Sequence, residues 1–193
     1  MRRRDFLAGV GSVGVVAGAG AVAVYGVPSP ESLRDGGSEG ETYEPLEIET
    51  IEAPGSEAGS VLIPDPDRPT FIDFFGTWCA PCIEQMPALA EANQRIGDEV
   101  LFCSVTSEDV GEDGALTEAD LVEWWEENDG NWTIGLDPTA ELTANYLQGG
   151  YPSAVAIDAS GRVQWGDSGV KTADELVGGI EQAIEAGDGD ELL

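Results

Sequence analysis

The stretch Phe71-Ile72-Asp73-Phe74-Phe75-Gly76-Thr77-Trp78-Cys79-Ala80-Pro81-Cys82 decides how the 193-residue chain is read. Thr70 to Phe75 is an apolar run with the look of a buried strand, and Gly76 breaks it. From Ala80 to Ile96, apolar residues recur at Ile83, Met86, Leu89, Ala90 and Ile96, the spacing of a helix. Two thiols separated by two residues can close a small ring when they occupy the first turn of that helix. Cys79 then receives unpaired backbone N–H groups and the positive end of the helix dipole, which favour its thiolate. Such a thiolate attacks a partner disulfide, and Cys82, one turn on, resolves the mixed disulfide. A zinc knuckle is the rival reading of any CxxC, but it needs a second pair or His ligands. The chain has three Cys and no His, so neither a metal nor another cofactor is expected.

Outward from this centre, strand and helix patterns alternate. Leu46 to Ile51 has period two, and Val61-Leu62-Ile63 is a short apolar run before Pro64. Val100 to Thr106 reads as another buried strand. Thr117-Glu118-Ala119-Asp120 is a capping box opening a helix through Leu121, Val122, Trp124 and Trp125. Asp137-Pro138 predicts an N-cap and a first-turn proline ahead of a helix through Leu142 and Tyr146. Ser153 to Asp158 and Arg162 to Trp165 form a hairpin about Ser160-Gly161, and Thr172-Ala173-Asp174-Glu175 caps a last helix through Leu176, Val177, Ile180 and Ile184. The order predicts an α/β sandwich built on a mixed sheet.

Composition narrows the function. With 38 acidic and 8 basic residues the net charge is −30, which makes nucleic acid an improbable partner. Outside Arg2, Arg3, Arg4 and Asp5 there are 5 basic and 37 acidic residues, and Lys171 is the single Lys. Self-repulsion of that size favours a chain adapted to molar salt, similar to proteins of halophilic archaea. Residues 1–27 combine three arginines with an uncharged run from Phe6 to Val27. Arg3-Arg4-Asp5-Phe6-Leu7 resembles the twin-arginine export signal, so export is expected. Small-residue cleavage sites and a length able to span a bilayer leave both cleavage and retention as a membrane anchor open. Residues 28–45 are read as a flexible acidic linker, 46–186 as the folded domain, and 187–193 as an acidic tail.

The CxxC of Trp78-Cys79-Ala80-Pro81-Cys82, together with Asp73, Pro87 and Gly149-Gly150-Tyr151-Pro152-Ser153, resembles the thioredoxin superfamily over Leu46 to Ala186. The similarity is to its exported TlpA-like or ResA-like branch. It implies a thioredoxin-like fold in which a mixed central sheet is sandwiched by helices, with Thr106 to Tyr146 as an added segment. It also implies a buried carboxylate at Asp73 that exchanges a proton with Cys82, and a kinked active-site helix at Pro87. The peptide bond before Pro152 would be cis, beside the thiols, with the backbone there pairing with substrate. Asp73 shares a face with Phe71 and Phe75, and burial would raise its pKa towards neutrality. Tyr151 departs from the small or β-branched residue usual before that proline.

The function expected is therefore that of an exported thiol-disulfide oxidoreductase. Cys79 is the nucleophile, Cys82 the resolving thiol and Asp73 the proton relay. Trp78, Ala80, Pro81, Tyr151 and Pro152 line the substrate groove. The resemblance implies a reductant of extracytoplasmic protein disulfides, recharged by a membrane thiol conduit, and a monomer is expected. Strong oxidants of the superfamily often carry His between the cysteines, and Ala80-Pro81 does not. A peroxiredoxin-like peroxide reductase would place Thr three residues before the reactive Cys, where Gly76 stands. A non-catalytic partner-binding module is the rival of another class, and copper delivery is disfavoured without His. Trp124, Trp125 and Trp132 read as packing for the added segment in preference to a docking face. Cys103, amid Leu101, Phe102 and Val105, reads as a small buried hydrophobe. Asn131-Trp132-Thr133 is a glycosylation sequon.

Overall fold

A computed structural model describes residues 42–190. Residues 1–27, read as an export segment, most of 28–45, read as a linker, and residues 191–193 lie outside the described residues. The elements run β1 (Leu46–Thr50), β2 (Gly59–Ile63), β3 (Thr70–Phe75), α1 (Ala80–Ile96), β4 (Leu101–Thr106), α2 (Glu118–Glu127), β5 (Thr133–Leu136), α3 (Glu141–Tyr146), β6 (Ser153–Ile157), β7 (Val163–Ser168) and α4 (Ala173–Asp190). Among the described residues these strands form one mixed sheet in the order β2-β1-β5-β4-β3-β6-β7. β3, β4 and β5 are parallel, and β6 and β7 continue the sheet antiparallel from β3. β1 is antiparallel to both β2 and β5.

The central strands β3, β4 and β6 are buried along their whole length, as strands covered on both faces must be. One face packs Phe71, Phe75 and Phe102 against Met86 and Leu89 of α1, Leu121 and Trp125 of α2, and Leu176 and Ile180 of α4. The other face packs Ile72, Phe74 and Cys103 against Leu142 and Tyr146 of α3. The expected sandwich is therefore present, with α1, α2 and α4 on one side and α3 on the other. Trp125 and Trp132 are buried and Trp124 half-buried, so the tryptophans of the added segment pack the core.

The caps at α2 and α4 form as their sequences predict. Thr117 Oγ1 accepts from the Asp120 N–H and the Asp120 carboxylate accepts from the Thr117 N–H. Thr172 and Glu175 exchange the same pair of bonds at the start of α4. Asp158 likewise folds its carboxylate back onto the Ser160 and Arg162 N–H groups, turning the β6–β7 hairpin with Gly161 at φ +82°.

Four features differ from the sequence expectations. β5 was not predicted, yet it lies between β4 and β1. α3 begins at Glu141, not next to Pro138. The Asp137 carboxylate reaches past a turn to the N–H groups of Glu141, Leu142 and Thr143, so the cap acts from four residues before the helix. Ile83, assigned to the buried stripe of α1, is 42% exposed, and Gln85 is buried instead. Its side-chain amide pairs with the backbone of Lys171, donating to the carbonyl at 3.1 Å and accepting from the N–H at 2.6 Å, so its burial leaves no polar group unpaired. Finally, α4 continues to Asp190, into the stretch read as an acidic tail.

Candidate active site

Strand β3 runs straight into the loop that carries the cysteines. Phe71 and Phe75 lock its inner face into the core, and Phe75 stacks on Trp124 with centroids 5.0 Å apart. The next residues, Gly76 and Thr77, leave the sheet and turn the chain, with the Cys79 N–H donating to the Gly76 carbonyl at 3.0 Å. Cys79 is the N-cap of α1 in an extended conformation, and Pro81 occupies the first turn, where the missing N–H costs nothing.

Cys79 and Cys82 are joined as a disulfide with Cα atoms 5.3 Å apart. The Cys82 N–H donates to Cys79 Sγ at 3.2 Å. This N–H is shared with the Cys79 carbonyl at 3.0 Å, so the sulfur that would carry negative charge on reduction faces a bifurcated donor at the positive end of a helix. Both cysteines are nearly buried, whereas Ala80 and Pro81 between them are exposed. Beside them the Trp78 indole is 68% exposed.

Asp73 occupies the position expected of it. It lies on the same sheet face as Phe71 and Phe75, is only 2% exposed, and shares that face with Cys82. Loss of hydration pushes its carboxyl up to about 7, with a hydrogen bond from Ser104 pulling the other way. Ser104, its cross-strand neighbour on β4, donates through Oγ to Asp73 Oδ2 at 3.0 Å.

The loop before β6 forms the opposite wall. The Tyr151-Pro152 peptide is cis, and the Pro152 carbonyl accepts from the Gly169 N–H at 2.8 Å. Tyr151 meets Trp78 edge to face with centroids 5.7 Å apart, and its hydroxyl is 3.2 Å from Ser107 Oγ. One residue further, Glu108 accepts from the Thr77 N–H at 2.7 Å and from Thr77 Oγ1 at 2.8 Å. The loop after β4 thus holds the cysteine loop with one side chain and the proline loop with its neighbour. Ser104, Ser107, Glu108 and Gln85 escaped the sequence reading. Each is a common residue type, and only the strand register and the return of the chain beside α1 bring them to the site.

Cys103 belongs to the other face of the sheet, buried among Ile72, Val105 and Leu142. Burial, with Asp73 as a neighbouring charge, pushes its thiol up to about 12, so it behaves as the small hydrophobe expected. Asn131 of the sequon is exposed.

A CxxC disulfide at a helix N-terminus, a buried carboxyl on the same sheet face and a cis proline in the loop against Trp78, on this sheet, define a thioredoxin-like protein. The chain belongs to the Redoxin family, whose profile matches residues 63–184. It is 25% identical over 112 residues to the thiol-disulfide oxidoreductase ResA of Bacillus cereus (strain ZK / E33L), covering 58% of this chain and 61% of that protein. The match therefore spans less than two thirds of the relative's length. The fold is shared with StoA from Bacillus subtilis, with a TM-score of 0.57 at 20% identity over 70% of this chain and 95% of that one. The pneumococcal exposed lipoprotein thioredoxin Etrx1 from Streptococcus pneumoniae strain TIGR4 has the same TM-score of 0.57, at 23% identity, covering 74% and 99% of the two chains.

Proposed function

We propose that the protein is an exported thiol-disulfide oxidoreductase that reduces disulfides in extracytoplasmic proteins. The observation that carries this reading is the Cys79–Cys82 pair at the N-terminus of α1, with the Cys82 N–H on Cys79 Sγ and Asp73 buried on the same face. In the reduced protein the Cys79 thiolate attacks one sulfur of a target disulfide. A mixed disulfide forms and the target's other sulfur leaves as a thiolate. Cys82 gives its proton to the Asp73 carboxylate and attacks Cys79 Sγ. The mixed disulfide breaks, the target leaves with two thiols, and the protein keeps the Cys79–Cys82 disulfide. Two electrons have passed to the target, and a dithiol of a membrane-borne conduit must return them.

Trp78, Ala80, Pro81, Tyr151 and Pro152 form the groove for the target chain in this reading. The direction is favoured by Ala80-Pro81, which places no cation between the sulfurs to hold the reduced form. The name of Etrx1 as an exposed lipoprotein is in keeping with export by the segment 1–27 and tethering by 28–45. Among the described residues no helix is long and apolar enough to cross a membrane. Peroxide reduction is disfavoured by Thr77, whose hydroxyl donates to Glu108.

The experiment is a pair of variants challenged with a peptide disulfide. Cys79→Ala should abolish exchange, and Cys82→Ala should accumulate a mixed disulfide visible as a mass adduct. Full turnover by Cys82→Ala would sink the two-thiol scheme.

A further inference from the structure

The Ser104 bond to Asp73 is one link of a longer chain. Trp132 Nε1 donates to Ser104 Oγ at 2.9 Å, and Ser104 Oγ donates to Asp73 Oδ2 at 3.0 Å. All three residues are buried. The indole N–H can only donate. It occupies a lone pair of the serine oxygen, so the serine proton is aimed at the carboxylate, and the polarity of the chain is fixed in one direction. The scaffold for this is rigid. Ser104 faces Asp73 on β3 and Ile134 on β5 in strand register, and Trp132 is wedged edge to face against Phe102 at 5.6 Å and Trp125 at 4.9 Å.

We infer that Ser104 and Trp132 are positioning residues that set the proton affinity of Asp73 and choose the oxygen on which its proton is carried. The inference deepens the proposed function, because it rests on Asp73 being the group that takes the proton from Cys82. Oδ2 is engaged by the serine hydroxyl as an acceptor, which a protonated oxygen does poorly, so the proton sits on Oδ1. The donor chain favours the carboxylate, in opposition to the burial that raises Asp73 to about 7. A fully buried carboxyl without it would stay protonated through neutrality and could not act as a base. Trp132 supports the effect at one remove, since the pull of the serine O–H grows when its oxygen accepts a bond.

Few other groups can disturb this titration. β6 sets Ala154 opposite Asp73. The helices on this face contribute apolar side chains and the disulfide to the buried cluster, and the buried Gln85 is neutral. Glu108 is held on Thr77, and Cys103, adjacent to Ser104, keeps its proton until about 12. With Cys79 and Cys82 oxidised, Asp73 is the group near Trp132 that titrates around neutrality.

The test uses the full-length, oxidised protein in molar salt with ¹⁵N-labelled indoles. The Trp132 side-chain N–H resonance, identified by its loss in Trp132→Phe, should shift with a midpoint near that of Asp73. It should stop shifting in Asp73→Asn. A Trp132 resonance that stays flat from pH 5 to 9 in the unsubstituted protein would overturn the inference. In turnover, Ser104→Ala should move the acid limb of the pH–rate profile upward by about one pH unit, and Trp132→Phe should move it the same way by less. If Asp73→Asn abolishes that limb while Ser104→Ala leaves it in place, the serine's role is refuted and the Asp73 relay stands. If Asp73→Asn leaves the whole profile intact while the indole still titrates, the relay to the thiols is refuted and the network stands.

Discussion

At the scale of single residues, a carboxyl sealed under a sheet has a cost that depends on pH. Asp73 titrates near 7 in the folded protein against a usual 3.8, so the folded state holds its proton more tightly than the unfolded chain does. Below about pH 3.8 the two states are alike and the fold carries no penalty from this group. As pH rises towards 7, the unfolded chain sheds the proton first and stability is progressively lost. Above 7 the loss is complete, on the order of 4 kcal/mol. Asp73→Asn keeps an oxygen for Ser104 and never ionises. In urea titrations of the oxidised protein it should therefore be more stable than the parent at pH 8, by up to that amount, with the difference fading towards pH 4. Equal stability of the two at pH 8 would show that the carboxyl is not held as buried as its surroundings imply.

At the scale of elements, the loop that follows β4 joins both walls of the site. Glu108 takes two hydrogen bonds from Thr77, and Ser107 meets the Tyr151 hydroxyl. Glu108→Ala should release the cysteine loop. We expect a stability loss of about 2 kcal/mol and a clear drop in the rate of peptide disulfide reduction, with the Cys79–Cys82 pair still able to form. A rate unchanged within error would deny the loop its positioning role. Much of this layer was legible in the sequence. Alternation marked β1, an apolar run marked β3, the Thr117 and Thr172 boxes marked α2 and α4, and the CxxC, Asp73 and Pro152 marked the centre of the candidate site. β5 was hidden because it is four residues long and contains Gly135, which reads as a breaker. In the fold, a Cβ at Gly135 would come within 2.8 Å of Ile48 Cγ2, so the glycine is there to let β1 close on β5. Ile83 and Gln85 were interchanged for a related reason. Periodicity ranks side chains by hydropathy, and it cannot see that the returning backbone at Lys171 satisfies an amide. The link of Ser104 and Trp132 to Asp73 could not be read at all, since it exists only once the strands are set side by side.

At the scale of the whole molecule, a net charge of −30 is set against very few cations. Among the described residues the ion pairs are Arg68–Asp65, Arg95 with Glu91 and Asp174, and Lys171–Asp167. Each has at least one well-exposed partner, and such pairs contribute about 0–1 kcal/mol apiece. Pairs of that strength offset little of the mutual repulsion of the remaining carboxylates, which added salt would screen. The screening length falls from about 10 Å at 0.1 M to about 3 Å at 1 M. We expect near-UV circular dichroism to show a cooperative transition in molar salt and its loss in dilute buffer. A full native spectrum in dilute buffer would remove the case for salt adaptation.

The seven-stranded sheet also acts as a partition. Cys79 and Cys82 lie against one of its faces and Cys103 against the other, walled in by Ile72, Val105 and Leu142. An odd thiol on the near side could intercept the covalent intermediate and strand a client protein on the wrong sulfur. In the proposed function, the odd thiol on the far side is kept out of that exchange, and the molecule would remain a courier with a single two-electron parcel.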